Sequence, residues 1–427
     1  MPGSSLTRSP GGASAEVAAR PNELRALSAL AFDELRGFPA AIRDMHLGIA
    51  QRAFRGVGPA AAPVRVIHDA VAQRAYGAIG SGAAAVGRAA DRAIDRRGLG
   101  LGFPLSTTRS GSAFIGALNG LIGDQLERSR SDLHQPPTVR VDGEAVPLEP
   151  GPVGAAFHDA TDRIVVFIHG LMGTEFYWDW GAERTGGSYG ERLAADLGFT
   201  PVYLRYNTGL HISESGRAVA ALLEDLVWAW PTEVREVALI GHSMGGLVAR
   251  SACHQAAQSD AGWCGMVSHS ISLGTPHMGA PLEQGAHIAA AALYRLPETR
   301  MLGAFLRRRS SGIRDLRYGS LVDEDWRDRD PNVLRAAACQ EVPLLEGATH
   351  CFVSATVTRS PRHPLGRLLG DTLVLVPSAG GRSRTRRIPF EAEYGRHVSP
   401  AHHMALLNHP EVYEHLRNWL GTNPAIS

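Results

Sequence analysis

The chain has 427 residues, of which 44% are hydrophobic and 20% charged, and its formal net charge is +1. This composition is typical of a globular protein with one large domain and an extra segment, and the balanced charge gives no reason to expect nucleic acid. No apolar run reaches the roughly 18 residues that a membrane span needs, and the N-terminus lacks the apolar stretch of a secretory signal. A cytoplasmic location is therefore expected, with peripheral membrane contact as an option. The four cysteines lack C-x-x-C spacing, which predicts reduced thiols and no metal site.

The first third of the chain is predicted to be disordered and then helical. Residues 1–20 are rich in Gly, Ser and Ala and predict disorder. Residues 21–137 form a predicted N-terminal helical segment, in which apolar residues recur three and four positions apart up to about residue 97. The glycine-punctuated stretch 98–137 ends at Gln-Pro-Pro, which predicts a boundary. The apolar stripes need a partner. Packing on the rest of the chain or self-association is favoured over peripheral membrane contact, because alanine-rich stripes bury little area.

From residue 138 to 427, short β-branched runs alternate with helical patterns. The predicted strands are TVRV (138–141), IVVFI (164–168), PVYLRY (201–206), EVALIG (236–241), MVSHSISLG (266–274), HCFVSATV (350–357) and RTRRIPF (384–390). The predicted helices between them include 189–197, 214–230 and 245–258. This alternation predicts an α/β fold with a mostly parallel central sheet and helices on both faces, with its chemistry at the carboxyl ends of the strands.

Two G-x-S-x-G motifs compete for the role of nucleophile, one centred on Ser243 and one on Ser188. Ser243 directly follows a predicted strand and precedes a helical pattern, which is the context of a nucleophile elbow. The flanking Gly241 and Gly245 fit the close packing of such a turn. Ser188 does not follow a strand and is predicted to lie in a loop or to cap a helix. Ser243 is therefore the candidate nucleophile.

A serine nucleophile requires a base and an acid further along the chain. Asp371 stands alone in an otherwise apolar and basic stretch after the strand at 350–357. Four histidines follow the last predicted strand, and the residues alone leave the choice of base among them open: His397, His402, His403 and His409.

Several motifs together resemble the lipase/esterase branch of the α/β-hydrolase superfamily, with bacterial lipases and GPI inositol-deacylase-like lipases as the nearest pattern. They are GHSMGG, HGLMG (169–173), GDTLVLVPSA and HHMALLNHPEVYEHL. The resemblance covers roughly residues 138–425 and implies an α/β-hydrolase fold. It also implies that Asp371 is the catalytic acid and that His403 is the base, in an H-x-x-L-L pattern, with His402 as the alternative.

The same resemblance implies where substrate binds. The amides of Leu171 and Met244 are expected to form an oxyanion hole, and about 280–345 is expected to be a cap or lid insertion. The candidate substrate-binding residues on the apolar rim are His169, Gly170, Met172, Phe176 and Met278.

The sequence thus predicts a serine hydrolase of carboxylic esters that uses Ser243, Asp371 and His403 and needs no cofactor or metal. The predicted partner is a small-molecule or lipid ester, and the apolar rim favours lipid or other apolar acyl groups. Two alternatives remain open. One is an acyltransferase or thioesterase with the same triad, and the other is a non-enzymatic binding member of the fold.

Overall fold

The computed structural model describes most of the chain from residue 105 onwards. The described residues are 105–280, 309–330, 339–360, 363–364 and 370–422, together with Glu23, Ala26 and Leu30. The predicted disorder at 1–20, most of the predicted N-terminal helices, and the parts of the predicted cap at 281–308 and 331–338 lie outside the described residues.

Within the described residues, eight strands form one sheet in the order β2-β1-β4-β3-β5-β6-β7-β8. Strand β1 is antiparallel to both of its neighbours, β2 and β4, and every other pair is parallel. The strands are β1 Thr138–Val141, β2 Glu144–Val146, β3 Arg163–Ile168, β4 Thr200–Arg205, β5 Glu236–His242, β6 Val267–Leu273, β7 Thr349–Ala355 and β8 Gly395–Val398. The predicted mostly parallel sheet is confirmed.

Helices connect the strands and cover the sheet. The α-helices are α1 Arg109–Arg128, α2 Pro150–Ala156, α3 Tyr189–Leu197, α4 Ile212–Ala229, α5 Met244–Gln258, α6 Ser311–Asp315, α7 Val376–Ala379 and α8 Pro410–Gly421. Short 3₁₀ helices lie at Leu105–Thr107, Glu175–Asp179, Ala182–Arg184, Gly262–Met266, Asp323–Asp325, Ala392–Tyr394 and His403–Leu406. No helix in the described part of the chain is both long and apolar enough to span a bilayer.

Strand β3 shows why the sheet is covered on both faces. Alternate side chains of a strand point to opposite faces, and in β3 every second residue belongs to a different core. Ile164, Val166 and Ile168 join the core that includes α2, α4 and α5. Val165 and Phe167 join the core that includes α3 and α8. A continuously apolar run is therefore needed here, because both faces are buried.

The prediction of a strand at 384–390 was wrong. The structure has only an isolated bridge, between Arg382 and Arg387, and the last strand is β8, which pairs in parallel with β7. The alternation of Ile388 and Phe390 produced the strand signal, and both side chains are indeed buried. Pro389 between them and Arg384 and Arg387 before them are exposed, so this segment does not fit a position inside the sheet.

Helix α1 lies in the glycine-punctuated stretch at the end of the predicted N-terminal helical segment, and it packs on the sheet domain. Asn207, in the loop after β4, donates to Gly123 O (2.9 Å), and Ser310 donates to Gly120 O (2.6 Å). Farther toward the N-terminus, Glu23 is helical and buried, and it accepts a hydrogen bond from Ser106 N (3.1 Å). The role of the N-terminal segment in self-association or membrane contact stays a prediction.

Candidate active site

Ser243 occupies the sharp turn between β5 and α5. Its backbone has φ 55° and ψ −124°, a conformation that L-residues rarely adopt outside strained turns. The turn is held by Ser243 N, which donates to Leu273 O (2.8 Å), and by Gly246 N, which donates to Ser243 O (3.2 Å). The serine therefore stands at the carboxyl end of β5 and at the amino end of a helix.

The glycines around Ser243 are required by close backbone contacts. A Cβ on Gly245 would lie 2.1 Å from Ile168 O, and one on Gly241 would lie 2.4 Å from Gly246 N. Neither contact can be relieved by rotating a side chain, since the atoms struck belong to the backbone. The elbow thus packs against the end of β3 as the motif predicted. In contrast, Ser188 is the N-cap of α3, in a capping box with Glu191.

Asp371 and His403 form a buried pair at the same edge of the sheet. Asp371 lies in a turn beyond β7, His403 begins the 3₁₀ helix after β8, and the distance from His403 Nδ1 to Asp371 Oδ2 is 2.8 Å. The other carboxylate oxygen accepts from the backbone N–H groups of Leu373 (3.0 Å) and Val374 (2.8 Å). A carboxylate only accepts, so Nδ1 carries the proton and Nε2 presents a lone pair.

The Nε2 atom of His403 is buried, and it has no hydrogen-bond partner among the described residues. A buried polar atom without a partner is uncommon and calls for an explanation such as a catalytic role. Ser243 Oγ does not bond to it here, but catalytic hydrogen bonds are often long before substrate binds.

His242 links the nucleophile elbow to His403. Its ring centroid is 4.7 Å from that of His403, and its Nε2 lies 3.3 Å from His403 O. Burial lowers the pKa of His242 to about 3, so the ring stays neutral at physiological pH. Gly274 lies on the other side of the pair, where a Cβ would be 3.3 Å from His403 Cε1 and 3.2 Å from Asp371 Oδ2. The structure thus places all three predicted catalytic residues at one edge of the sheet.

The three other candidate histidines do not contact Asp371. His402 is exposed and precedes the 3₁₀ helix that His403 begins. His397 lies on β8, with its ring nitrogens 3.0 Å from Ser354 Oγ and 3.2 Å from Thr356 Oγ1. His409 is the N-cap residue of α8.

The loop after β3 lies directly against Ser243. A Cβ on Gly170 would be 2.9 Å from Ser243 Cβ, so only glycine allows this approach. Gly173 N donates to Gly170 O (3.0 Å), and Met172 N donates to Thr208 Oγ1 (3.1 Å). Neither bond uses the Leu171 amide. Met244, the other predicted oxyanion donor, is the first residue of α5.

His169, a predicted substrate-binding residue, has its side chain turned into the protein. Its side chain is fully buried and stacks on Tyr206 at 4.5 Å between centroids. Its Nδ1 lies 2.9 Å from Gly170 O, and Tyr206 N donates to its Nε2 (3.4 Å). Both ring nitrogens are used inside the protein, and burial lowers the pKa of the ring to about 4. This histidine thus contacts the turn and Tyr206 in the structure, and its role in substrate binding stays a prediction.

The other predicted rim residues lie at different places. Met172 is half-buried and has φ 61°, and its side chain lies against Gly120 of α1. Phe176 packs under the Arg109 guanidinium, 5.0 Å from the ring centroid. Met278 is half-buried, and its N–H donates to Ser378 Oγ (3.1 Å).

A buried ion pair behind the loop after β3 was not predicted from the sequence. Arg205 is fully buried at the end of β4, and its Nε donates to Glu175 Oε2 (2.7 Å) while a terminal nitrogen bonds Oε1. The same guanidinium donates to Ser106 O (2.6 Å). The available signal was a charged residue inside the apolar run PVYLRY, because such a residue needs a partner when buried.

Part of the predicted cap covers Met244. In α6, a Cβ on Gly312 would lie 3.0 Å from Met244 Cε and 2.1 Å from Thr208 O. The carboxylate of Asp315 accepts from Ile212 N (2.8 Å) and lies 3.1 Å from His211 Nδ1. The described part of this insertion is thus packed next to the elbow.

Comparison with known proteins agrees with this geometry. A family model described as a PGAP1-like alpha/beta domain matches residues 214–300, which include Ser243. No curated protein matches the sequence.

Among solved structures, a Bacillus licheniformis lipase in propeptide form is 18% identical to this chain and has a TM-score of 0.42. The match covers 60% of this chain and 50% of the lipase. EstA from Clostridium botulinum is 14% identical, with 61% of this chain and 87% of its own covered and a TM-score of 0.34. The Pyrococcus furiosus esterase is also 14% identical, with 62% and 82% covered and a TM-score of 0.34. This chain thus spans half of the length of the Bacillus lipase.

The strand order, the elbow at Ser243 and the family-model match define an α/β-hydrolase fold. The resemblance to this superfamily, predicted from the motifs, is confirmed by the family-model match over residues 214–300.

Proposed function

We propose that this protein is a serine hydrolase that cleaves carboxylic esters through an acyl-enzyme on Ser243. The observation that carries the proposal is the buried His403–Asp371 pair, whose Nε2 has no partner in the described structure and which lies beside the strained elbow. This set supplies a nucleophile, a general base and a group that orients the base.

The chemistry follows from these positions. Ser243 Oγ attacks the ester carbonyl while His403 Nε2 takes its proton, and the resulting imidazolium is stabilised by Asp371. The tetrahedral intermediate places negative charge on the former carbonyl oxygen, for which the amides of Leu171 and Met244 are the proposed donors. His403 then protonates the departing alcohol, leaving the acyl group on Ser243. Water, deprotonated by His403, attacks this ester and releases the acid and the free serine.

The proposed substrates are esters with apolar acyl groups. Leu171 and Met172 are half-buried and follow Gly170, which lies against Ser243, and Met278 follows the end of β6. Leu373, two residues beyond Asp371, is 40% exposed. These apolar side chains favour burial of an acyl chain over recognition of a charged group.

Hydrolysis of p-nitrophenyl esters of graded chain length tests this proposal. Ser243→Ala is expected to abolish hydrolysis and labelling by a fluorophosphonate. Ser188→Ala is the matched control, because Ser188 lies in the other G-x-S-x-G motif and caps α3. It should retain both activities and lose about 1 kcal/mol of stability from the lost cap. An active Ser243→Ala protein, or labelling at Ser188, would contradict the assignment.

A further inference from the structure

Residues 169–173 form the oxyanion turn, the turn that is proposed to bind the oxyanion. Hydroxyl groups of residues outside this turn hydrogen-bond to its backbone. Met172 has φ 61°, a left-handed conformation that is costly for a non-glycine residue. Its N–H donates to Thr208 Oγ1 (3.1 Å), and its carbonyl accepts from Tyr177 OH (3.3 Å). Both polar backbone groups of the strained residue are therefore held by side chains.

Thr208 is itself held from two sides. It is 1% exposed, in the loop between β4 and α4. On one side, the next residue, Gly209, approaches α1 so closely that a Cβ there would lie 2.1 Å from Asn119 O. On the other side, Gly312 of α6 donates its N–H to Gly209 O (3.1 Å). The position of the Thr208 hydroxyl thus depends on α1 and on the cap segment together.

Helix α1 also contacts the oxyanion turn and the loop that carries Thr208, through three glycines on one face. A Cβ on Gly116 would lie 3.0 Å from Gly173 O, and one on Gly120 would lie 2.4 Å from Met172 Cγ. A Cβ on Gly123 would lie 1.9 Å from Asn207 Oδ1, in the loop that carries Thr208. The helix can approach this closely only because the contact face has no side chains.

We infer that Thr208 is a positioning residue for the oxyanion turn and that α1 and α6 hold it in place. The inference rests on the proposed function. Met172 N donates to Thr208, and Gly173 N donates to Gly170 O. Neither of these two hydrogen bonds uses the N–H of Leu171. Helix α1 supplies part of the contacts that hold Thr208 and the oxyanion turn in place, and this helix precedes the region that resembles lipases.

The test is Thr208→Val, which removes the acceptor and keeps the shape of the side chain. Loss of an entire oxyanion donor costs about 10²- to 10³-fold in kcat, so displacement of one donor should lower kcat by about 10- to 100-fold. KM should change less than about threefold, because the ester ground state does not use the oxyanion site fully. Affinity for a trifluoromethyl ketone, which forms a charged adduct with the serine, should fall together with kcat. Thr208→Ser restores the hydroxyl and should restore kcat to within about threefold of wild type.

Thr200→Val is the matched control. Thr200 is a buried threonine at the opposite end of β4, and its Oγ1 also accepts a backbone N–H, that of Thr161, at 2.9 Å. It should keep the wild-type kcat. A second variant, Gly120→Ala, perturbs the turn from α1 and should show the same fall in kcat, which decides the question if Thr208→Val does not fold.

Wild-type kcat in a folded Thr208→Val protein would overturn the inference, as would a loss confined to KM or a loss that Thr208→Ser does not reverse. Failure of the proposed function has a different signature. In that case the wild-type protein would hydrolyse no ester and Ser243 would not react with a fluorophosphonate, whereas failure of the inference alone leaves both reactions intact in the wild-type protein.

Discussion

Asp371→Asn tests the arrangement of the catalytic pair most sharply, because the structure determines how the new amide must lie. The Oδ1 atom of Asp371 accepts from the backbone N–H groups of Leu373 and Val374, and Oδ2 faces His403 Nδ1 at 2.8 Å. An asparagine keeps both backbone bonds only if its oxygen takes the Oδ1 position. Its NH₂ group then faces Nδ1.

Two donors cannot share this contact, so the proton of His403 must move from Nδ1 to Nε2. The ring then presents N–H to Ser243 and cannot accept the serine proton. Flipping the amide would leave two backbone N–H groups facing NH₂, at about 1–3 kcal/mol for each unsatisfied group. The wrong tautomer in such a triad lowers kcat by about 10⁴, which corresponds to about 5.5 kcal/mol in the barrier.

The assay is p-nitrophenyl ester hydrolysis, with kcat and KM determined separately and folding checked by thermal unfolding. Asp196→Asn is the matched control, because Asp196 is an exposed carboxylate of α3 that accepts from Tyr413 OH (2.6 Å). It should stay within about twofold of wild type. If Asp371→Asn retains kcat within tenfold of wild type, the proposed role of Asp371 is wrong.

Three further predictions concern the base and two buried charged or titratable groups. His403→Ala should lower kcat by at least ~10³-fold, whereas the exposed His402→Ala should change it less than about threefold; the reverse order would move the base by one position. Arg205→Met leaves Glu175 buried without its partner and should cost about 3–5 kcal/mol in urea unfolding, and a change below 1 kcal/mol would refute this. The pKa of His242 is about 3 in the folded chain and 6.5 without burial, so the unfolded chain binds the extra proton and stability falls as pH drops below 6.5. The loss is about 1.4 kcal/mol per pH unit, and His242→Gln should show a correspondingly smaller difference between unfolding at pH 7 and pH 5.5.

Much of the fold was predictable because its signals are local. The strands β3 to β7 and the helices α3 to α5 were predicted to within about three residues at each end, since their apolar periodicity depends on consecutive residues. The elbow at Ser243 was predictable for the same reason, because strand, turn and helix follow one another directly in the chain. The pair β1–β2 was half recognised, since Glu144–Val146 is too short to give a pattern.

The sequence by itself therefore determined the alternation of strands and helices, the elbow and the identity of the candidate nucleophile. The motif resemblance favoured His403 among the four histidines. The tertiary structure brought it to Asp371, a contact that joins residues 32 positions apart. It also decided that His169 turns inward and that Arg205 pairs with Glu175. Finally, it decided that α1 lies against the oxyanion turn. These outcomes depend on which surfaces meet when the sheet is assembled, and side-chain partners that are distant along the chain leave no periodic pattern in the sequence.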